Sequence, residues 1–472
     1  MIDDAPIDAE PPLGDAPALA QPCTDALADV YTLPGSLPAM DDSHRGDVFR
    51  CAVTEKLNAS QVKAQIAAYN VGYTNTTDST VNSGFWTYRI AFRSERNTVN
   101  TARAEGDMAA VLFVPANPLP NAPLVVFAHG SVGVAPQCAP SRKVLTDAVT
   151  DDDFETAMYR LAGYGYTVIA PDYAGFSYGQ VTGYFNAEDE GHAVLDATRA
   201  AAKILPTPPD KVVFVGHSQG GHAVLSAQAF EPSYGMTGTL VGVAALAPVW
   251  SSMSLWAAIP TDAAGFMTQN AGDVSGITYA MAYAYAASEL RAPGTGLDVF
   301  QDAKKTAAHD VLLNSCYDQA GLMALGARPS DWFDQTYLNN VGGLCAIAFV
   351  NANCTNDPAP MWKARWIEDR PAIDAMSSAP ILAYYGNMDT FVAPGRASCG
   401  RDKITADLAA VPGATTSVTY CLDPNAGHRD IVRGAASDYV LKWIAARSGA
   451  GTDPGACAPL PAMACAKPPN EY

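Results

Sequence analysis

Cationic side chains are scarce in this chain: 29 Lys and Arg stand against 48 Asp and Glu over 472 residues, a formal net charge of −19. A polyanion is held by clustered Lys and Arg that displace its counterions, so nucleic acid is excluded as a partner and a neutral substrate suits the surface. Long hydrophobic runs are missing as well. No apolar stretch approaches the ~20 residues that span a bilayer, so no transmembrane segment is expected. Neither Cys-x-x-Cys nor His-Glu-x-x-His occurs among the 10 cysteines and 7 histidines, which removes the usual metal-ligand spacings. A nucleotide-binding glycine loop is missing too, because Gly163-Tyr164-Gly165 lacks a third glycine and leads into a strand instead of a helix. No cofactor and no metal are therefore expected.

The chain is otherwise globular in character, with 49% hydrophobic and 16% charged residues. Its length exceeds the roughly 250–300 residues at which one core stops growing, so a large domain with an insertion, or two domains, is expected. The even cysteine set reads as disulfides formed in an oxidising compartment, secreted, extracellular or periplasmic. A cytosolic enzyme with scattered buried thiols is the alternative. Met1 runs directly into the acidic, Pro-rich stretch Ile2 to Pro17, as at the start of a mature secreted protein. Proximity suggests the pairs Cys345 with Cys354 and Cys457 with Cys465, while Cys399 and Cys421 flank the helix between two late strands. Cys138 with Cys316 would tie the loop after an early strand to a later insertion. A monomer is expected.

Between an Ala-, Pro- and Asp-rich start and a similar end, strand-like and helix-like segments alternate, without internal repeats. Strands are predicted over Phe85 to Phe92, Met108 to Val114, Leu124 to Ala128, Tyr166 to Ala170 and Lys211 to Val215. Further strands cover Leu240 to Leu246, Ile381 to Tyr385 and Thr416 to Cys421. Helices are predicted over Asp152 to Leu161, Glu188 to Leu205, His222 to Phe230 and Asp430 to Arg447. Alternation of this kind means an α/β fold, a mostly parallel central sheet with helices on both faces. The pattern breaks from about Val249 to Ser378, a mainly helical stretch holding Trp250, Trp256, Trp332, Trp362 and Trp366. It reads as a cap, with its own core or with Trp and Met lining an acyl pocket. The expected organisation is an N-terminal extension with a surface arm and a helix (1–80), core (81–248), cap (249–378), core (379–448) and tail (449–472).

Gly216-His217-Ser218-Gln219-Gly220 matches Gly-x-Ser-x-Gly, preceded by the β-run Val212 to Val215 and followed by a helical stretch. That strand-turn-helix setting is what a nucleophile elbow needs, and it makes Ser218 the candidate nucleophile. Serine needs a histidine to accept its proton and a carboxylate to orient that histidine. Downstream of the Ser218 helix only His309, in the cap, and His428, after the last strand, remain, which selects His428. Asp389 lies in the loop at the carboxyl end of the Ile381 to Tyr385 strand, where sites of parallel sheets collect, and is the candidate acid; Asp423 is the alternative. The oxyanion of acyl transfer calls for two backbone N–H donors. Gln219, after the nucleophile, supplies one, and Ser131 in His129-Gly130-Ser131 the other. His129 is upstream of Ser218 and reads as a structural loop residue.

Taken together, the chain from Phe85 to Arg447 resembles the α/β-hydrolase superfamily. Val168 to Gly175, Gly191 to Ala200 and Gly-His-Ser-Gln-Gly-Gly are similar to the secretory lipase family. The resemblance implies Ser218, Asp389 and His428 as a catalytic triad, and an ester substrate such as an acylglycerol with transient contact at a lipid interface. The His-Gly-Ser oxyanion loop departs from the yeast members of that family, so their interfacial activation is not carried over. A polyester or aromatic, feruloyl-type esterase, a peptidase and a catalytically dead binding module are the competing functions.

Overall fold

The computed structural model describes residues 11–69, 81–98, 101–145, 153–250, 256, 272–317, 331–341, 359–433, 435–462 and 465. The apolar runs rich in Val, Ile and Phe become strands: β1 (Val48–Leu57), β2 (Phe85–Phe92), β3 (Glu95–Thr98), β4 (Thr101–Glu105), β5 (Met108–Pro115) and β6 (Leu124–Ala128). They continue as β7 (Val168–Pro171), β8 (Lys211–His217), β9 (Thr239–Leu246), β10 (Ile381–Gly386) and β11 (Val418–Asp423). Among the described residues, nine of them form one sheet in the order β1-β2-β5-β7-β6-β8-β9-β10-β11, and β3 and β4 make a separate hairpin. From β7 across to β11 neighbours run parallel, whereas β1, β2 and β5 are antiparallel to their neighbours. This is the mostly parallel sheet expected from the alternating pattern, in the arrangement that the resemblance to the α/β-hydrolases implies.

Strand β6 shows why the sheet is covered on both sides. Its Val125 and Phe127 point into the core shared with the Asp153–Tyr164 and Ala435–Ser448 helices, while Leu124, Val126 and Ala128 face the Ala187–Ile204 and Gln219–Tyr234 helices. Fully burying one such Val or Phe contributes about 1.5–3 kcal/mol. Strand β1 lies within the stretch read from sequence as an N-terminal extension, where no strand is predicted. It occupies the sheet edge, where Arg50, Glu55 and Lys56 dilute the apolar alternation that reveals central strands. The helix expected over Asp430 to Arg447 is found as Asp430–Arg433 and Ala435–Ser448, residue 434 lying outside the described residues.

Between β9 and β10, the stretch read from sequence as a cap, the described residues form the helices Gly272–Arg291, Lys305–Asn314, Gln335–Asn340 and Pro360–Glu368. Trp256, Trp332, Trp362 and Trp366 are buried with Met281, Tyr283 and Phe333 in a core of the cap's own, which also takes in Val134, Tyr184 and Phe185 from the hydrolase core. These four tryptophans therefore pack in that cluster. Trp250 packs instead with the main core.

The described cysteines form four disulfides. Cys138–Cys316 joins the loop after β6 to the helical segment between β9 and β10, the pairing expected from the sequence. The expected pair Cys457 with Cys465 is replaced by Cys421–Cys457 and Cys399–Cys465, which take up the two cysteines read from sequence as flanking the helix between the late strands. The reason is spatial. The tail runs beside β11, with the Leu422 N–H donating to the Ala458 carbonyl at 2.8 Å and a bridge from Cys421 to Pro459, which puts Cys457 next to Cys421. Cys23–Cys51 fastens the N-terminal arm to β1. Cys345 and Cys354 lie outside the described residues.

Asp172, just after β7, is fully buried and accepts from the Ser141 N–H at 2.9 Å, the Ser141 hydroxyl at 2.5 Å and the Ser177 hydroxyl at 3.1 Å. Burial, only partly offset by those bonds, pushes its carboxyl up to about 6. The unfolded chain ionises near 3.9, so between these values the folded state holds a proton that the unfolded state has lost. Asp172 thus adds most stability below about pH 4 and loses that share as pH rises through about 6. In thermal melts, the stability advantage of wild type over Asp172→Asn is expected to shrink from pH 4.5 to pH 7.5. A constant or growing advantage would refute this.

Candidate active site

Strand β8 ends at His217 and the next helix starts at Gln219, so Ser218 alone makes the turn. Its backbone sits at φ 55°, ψ −113°, a region that costs a residue with a Cβ about 1–3 kcal/mol. Surrounding bonds over-determine that conformation. The Ser218 N–H donates to the Leu246 carbonyl at 2.9 Å, and its carbonyl accepts from His222 at 3.2 Å and Val249 at 3.3 Å. No room exists for larger neighbours: a Cβ on Gly216 would lie 2.0 Å from the Gly220 carbonyl oxygen, and one on Gly220 1.9 Å from that of Ala128. Gly220→Ala must therefore push helix from sheet. Because a displacement of about 1 Å at a reacting centre can cost 10²-fold, activity should fall at least about that much. Initial rates on a soluble ester, per mole of folded enzyme, would measure it.

Strands β10 and β11, parallel to β8, deliver two other candidates to the same edge. After β10, Asp389 is 3% exposed, and its Oδ1 accepts from the N–H groups of Phe391 and Val392, each at 2.8 Å. After β11, His428 donates through Nδ1 to Asp389 Oδ2 at 2.7 Å. Burial opposes charge on Asp389, but the His428 ring and the two N–H groups outweigh it and hold the carboxyl below its usual range. An ionised carboxylate only accepts, so Nδ1 carries the proton and Nε2 is the ring's basic face. His428 is seated beside the elbow through His217, whose Nε2 donates to the His428 carbonyl at 2.8 Å. Burial, reinforced by the neighbouring His428, pushes the His217 ring down to about 3, so it stays a neutral structural donor.

On the other side, β6 pairs with β8 so that Ala128 lies opposite Gly216. The following loop passes so close that a Cβ on Gly130 would be 3.7 Å from the Ser218 Cβ. His129 stacks on Tyr173, and its Nδ1 meets the Gly130 carbonyl at 2.6 Å, in keeping with a structural role. The Ser131 hydroxyl lies 2.8 Å from that of Tyr184, and the Gln219 Nε2 donates to Glu190 at 2.7 Å. Asp423, the alternative acid, is occupied by the Asn425 N–H at 2.9 Å, and His309 is about half exposed beside Asp310.

Sequence reasoning missed Glu190, His222, Tyr184 and Phe391. Glu190 stands in the acidic first turn Glu188-Asp189-Glu190, which reads as a helix-dipole feature, yet Asp189 and Glu190 are both fully buried. Phe391 places its ring 5.2 Å from that of His428 and 6.4 Å from that of Tyr279 in the cap. Among the described residues no cluster of three or more His, Cys, Asp or Glu is arranged to hold a metal ion, and no helix is long and apolar enough to cross a membrane.

Residues 142–275 match the secretory lipase family. No curated protein matches the chain. Among solved structures, a putative hydrolase of Legionella pneumophila has 15% identity, covering 84% of this chain and 98% of its own, with a TM-score of 0.62. The closed state of Candida antarctica lipase A has 19% identity over 94% of this chain and 91% of that one, with a TM-score of 0.62. The rice cell wall degrading esterase LipA of Xanthomonas oryzae, in a ligand-bound form, has 17% identity over 86% and 97%, with a TM-score of 0.58. At these identities the neighbours speak to the fold, and the match over residues 142–275 spans the elbow itself. The chain has the α/β-hydrolase fold, and over residues 142–275 it resembles the secretory lipase family.

Proposed function

We propose that the protein is a secreted serine ester hydrolase, a lipase or esterase, with Ser218 as nucleophile, His428 as general base and acid, and Asp389 as the group that orients His428. The observation that carries this is the 2.7 Å Asp389–His428 bond at the strand edge where the Ser218 elbow stands. Ser218 Oγ attacks the ester carbonyl and gives its proton to His428 Nε2, while the N–H groups of Gln219 and Ser131 receive the developing oxyanion. The C–O bond then breaks, the alcohol leaves with the proton from His428, and water repeats the sequence on the acyl-enzyme. Secretion is supported by the four described disulfides and the acidic composition.

A fluorophosphonate titration beside a substrate panel tests the proposal, the panel comprising a soluble nitrophenyl ester, an emulsified glyceride and an aromatic ester. One equivalent of label on Ser218 with ester turnover is expected. Absence of labelling would leave a binding module, and cleavage of peptide amides in preference to esters would leave a peptidase. Relative rates across the panel separate lipase from esterase.

A further inference from the structure

The nucleophile, base and acid leave unused the fully buried pair Glu190 and His222. Glu190 lies near the start of the Ala187–Ile204 helix and His222 in the first turn after Ser218, and the Glu190 Oε2 and His222 Nδ1 are 2.6 Å apart. His222 Nε2 lies 2.6 Å from the Asp369 carbonyl oxygen, which only accepts, so Nε2 carries a proton. The Nδ1–Oε2 bridge then holds one further proton, and the pair is neutral overall whichever atom bears it. Burial opposes charge on both. It pushes the Glu190 carboxyl up, while on His222 the Glu190 charge and the two bonds outweigh it and raise the ring.

The remaining oxygen of Glu190 reaches two ways. Its Oε1 accepts from the Gln219 Nε2 at 2.7 Å and from the Phe185 N–H at 2.9 Å. The Gln219 Oε1 has no hydrogen-bond partner among the described residues, so the bond to Glu190 is the one that places the amide. Phe185 is held at φ 54°, a conformation a bulky residue adopts only under constraint, and Glu190 binds its N–H. The preceding residue, Tyr184, is the one hydrogen-bonded to the Ser131 hydroxyl at 2.8 Å. One carboxylate oxygen thus braces Gln219 directly and Ser131 through Phe185 and Tyr184. On its far side the network enters the cap, where the Asp369 carboxylate accepts from the Tyr283 hydroxyl at 2.8 Å.

We infer that Glu190 is the positioning residue of the oxyanion hole, setting the Gln219 and Ser131 sides of it at once. The inference rests on the reading of those two residues as oxyanion donors. A brace of this kind acts on the transition state, whose oxyanion needs both donors in place, and leaves ground-state binding of the ester nearly unchanged.

The test uses the full-length enzyme and the variants Glu190→Leu, Glu190→Gln and Gln219→Leu. The readouts are kcat and KM on a soluble nitrophenyl ester, the Ki of an aryl boronic acid that mimics the tetrahedral intermediate, and the final extent of fluorophosphonate labelling. Glu190→Leu and Gln219→Leu should lower kcat by about 10–100-fold with KM little changed, and raise the boronate Ki by a similar factor. Glu190→Gln keeps an acceptor for Gln219 and Phe185 and a donor for His222, so it should recover most of the loss. Gln219→Leu keeps its backbone N–H and leaves the Glu190–His222 bridge and the Glu190–Phe185 bond in place, so it decides the matter should Glu190→Leu fail to fold. Folded, fully labelled variants with kcat within about 3-fold of wild type, or with lowered kcat and an unmoved boronate Ki, would overturn the inference alone. A wild type that neither labels at Ser218 nor turns over esters would overturn the proposed function and this inference with it.

Discussion

Ser218→Ala is expected to lower kcat by roughly 10⁴–10⁶-fold, with KM and thermal stability close to wild type. The size follows from chemistry: without Oγ no acyl-enzyme forms, and only binding and the oxyanion donors remain to assist direct attack by water. The small effect on stability follows from the backbone. Ser218 sits at φ 55°, and alanine meets the same strain there because it keeps the Cβ. No cap-forming hydrogen bond from the Ser218 side chain to its helix is present to be lost. Steady-state rates, fluorophosphonate incorporation and a melting curve on the same preparation check the three parts together. Turnover within about 100-fold of wild type, by a preparation free of contaminating esterase, would remove Ser218 as the nucleophile.

Asp389→Asn should cost about 10⁴-fold in kcat with little change in fold. The asparagine carbonyl can still accept from Phe391 and Val392, so the loop stays tied. What changes is the partner of the imidazole. An amide N–H facing His428 Nδ1 favours the tautomer whose proton is on Nε2, where it cannot take the proton of Ser218. The imidazolium formed in the transition state also loses the anion beside it. A loss below about 10-fold would shift the role of the acid to another carboxylate, and Asp423→Asn would then have to show the large effect. That outcome is disfavoured by geometry, since Asp389 lies 2.7 Å from His428 while Asp423 accepts from the Asn425 N–H.

Ser218 and the strands around it are legible in the amino-acid sequence because their signals are local. The Gly216 to Gly220 pentapeptide records a turn in which a Cβ would strike backbone at about 2 Å, and such steric need leaves small residues at fixed spacing. Buried parallel strands record themselves as short continuous apolar runs, so Leu124 to Ala128 matches β6 residue for residue. The antiparallel β2, also buried on both faces, is matched by Phe85 to Phe92 in the same way. His428 and Asp389 are legible one step further on, because strand ends of a parallel sheet share an edge whatever the length of chain between them. Strand β1 is not legible, because an edge strand buries too little to keep its alternation clean.

By itself, then, the sequence determined the α/β alternation, the strand-turn-helix at Ser218 and the helical break between β9 and β10, and it narrowed the acids and histidines proposed to serve Ser218. Only the tertiary structure decided which partners meet across space: Cys457 with Cys421 instead of Cys465, Trp256, Trp332, Trp362 and Trp366 in one cluster, and Glu190 with His222, Gln219 and Phe185. The physical reason is one of range. Turn sterics and strand burial act within a few residues and leave a periodic mark, whereas a buried hydrogen-bond network or a disulfide is satisfied by whichever group the packed fold brings within reach. A glutamate in the first turn of a helix looks the same in sequence whether it faces water or, like Glu190, an interior partner.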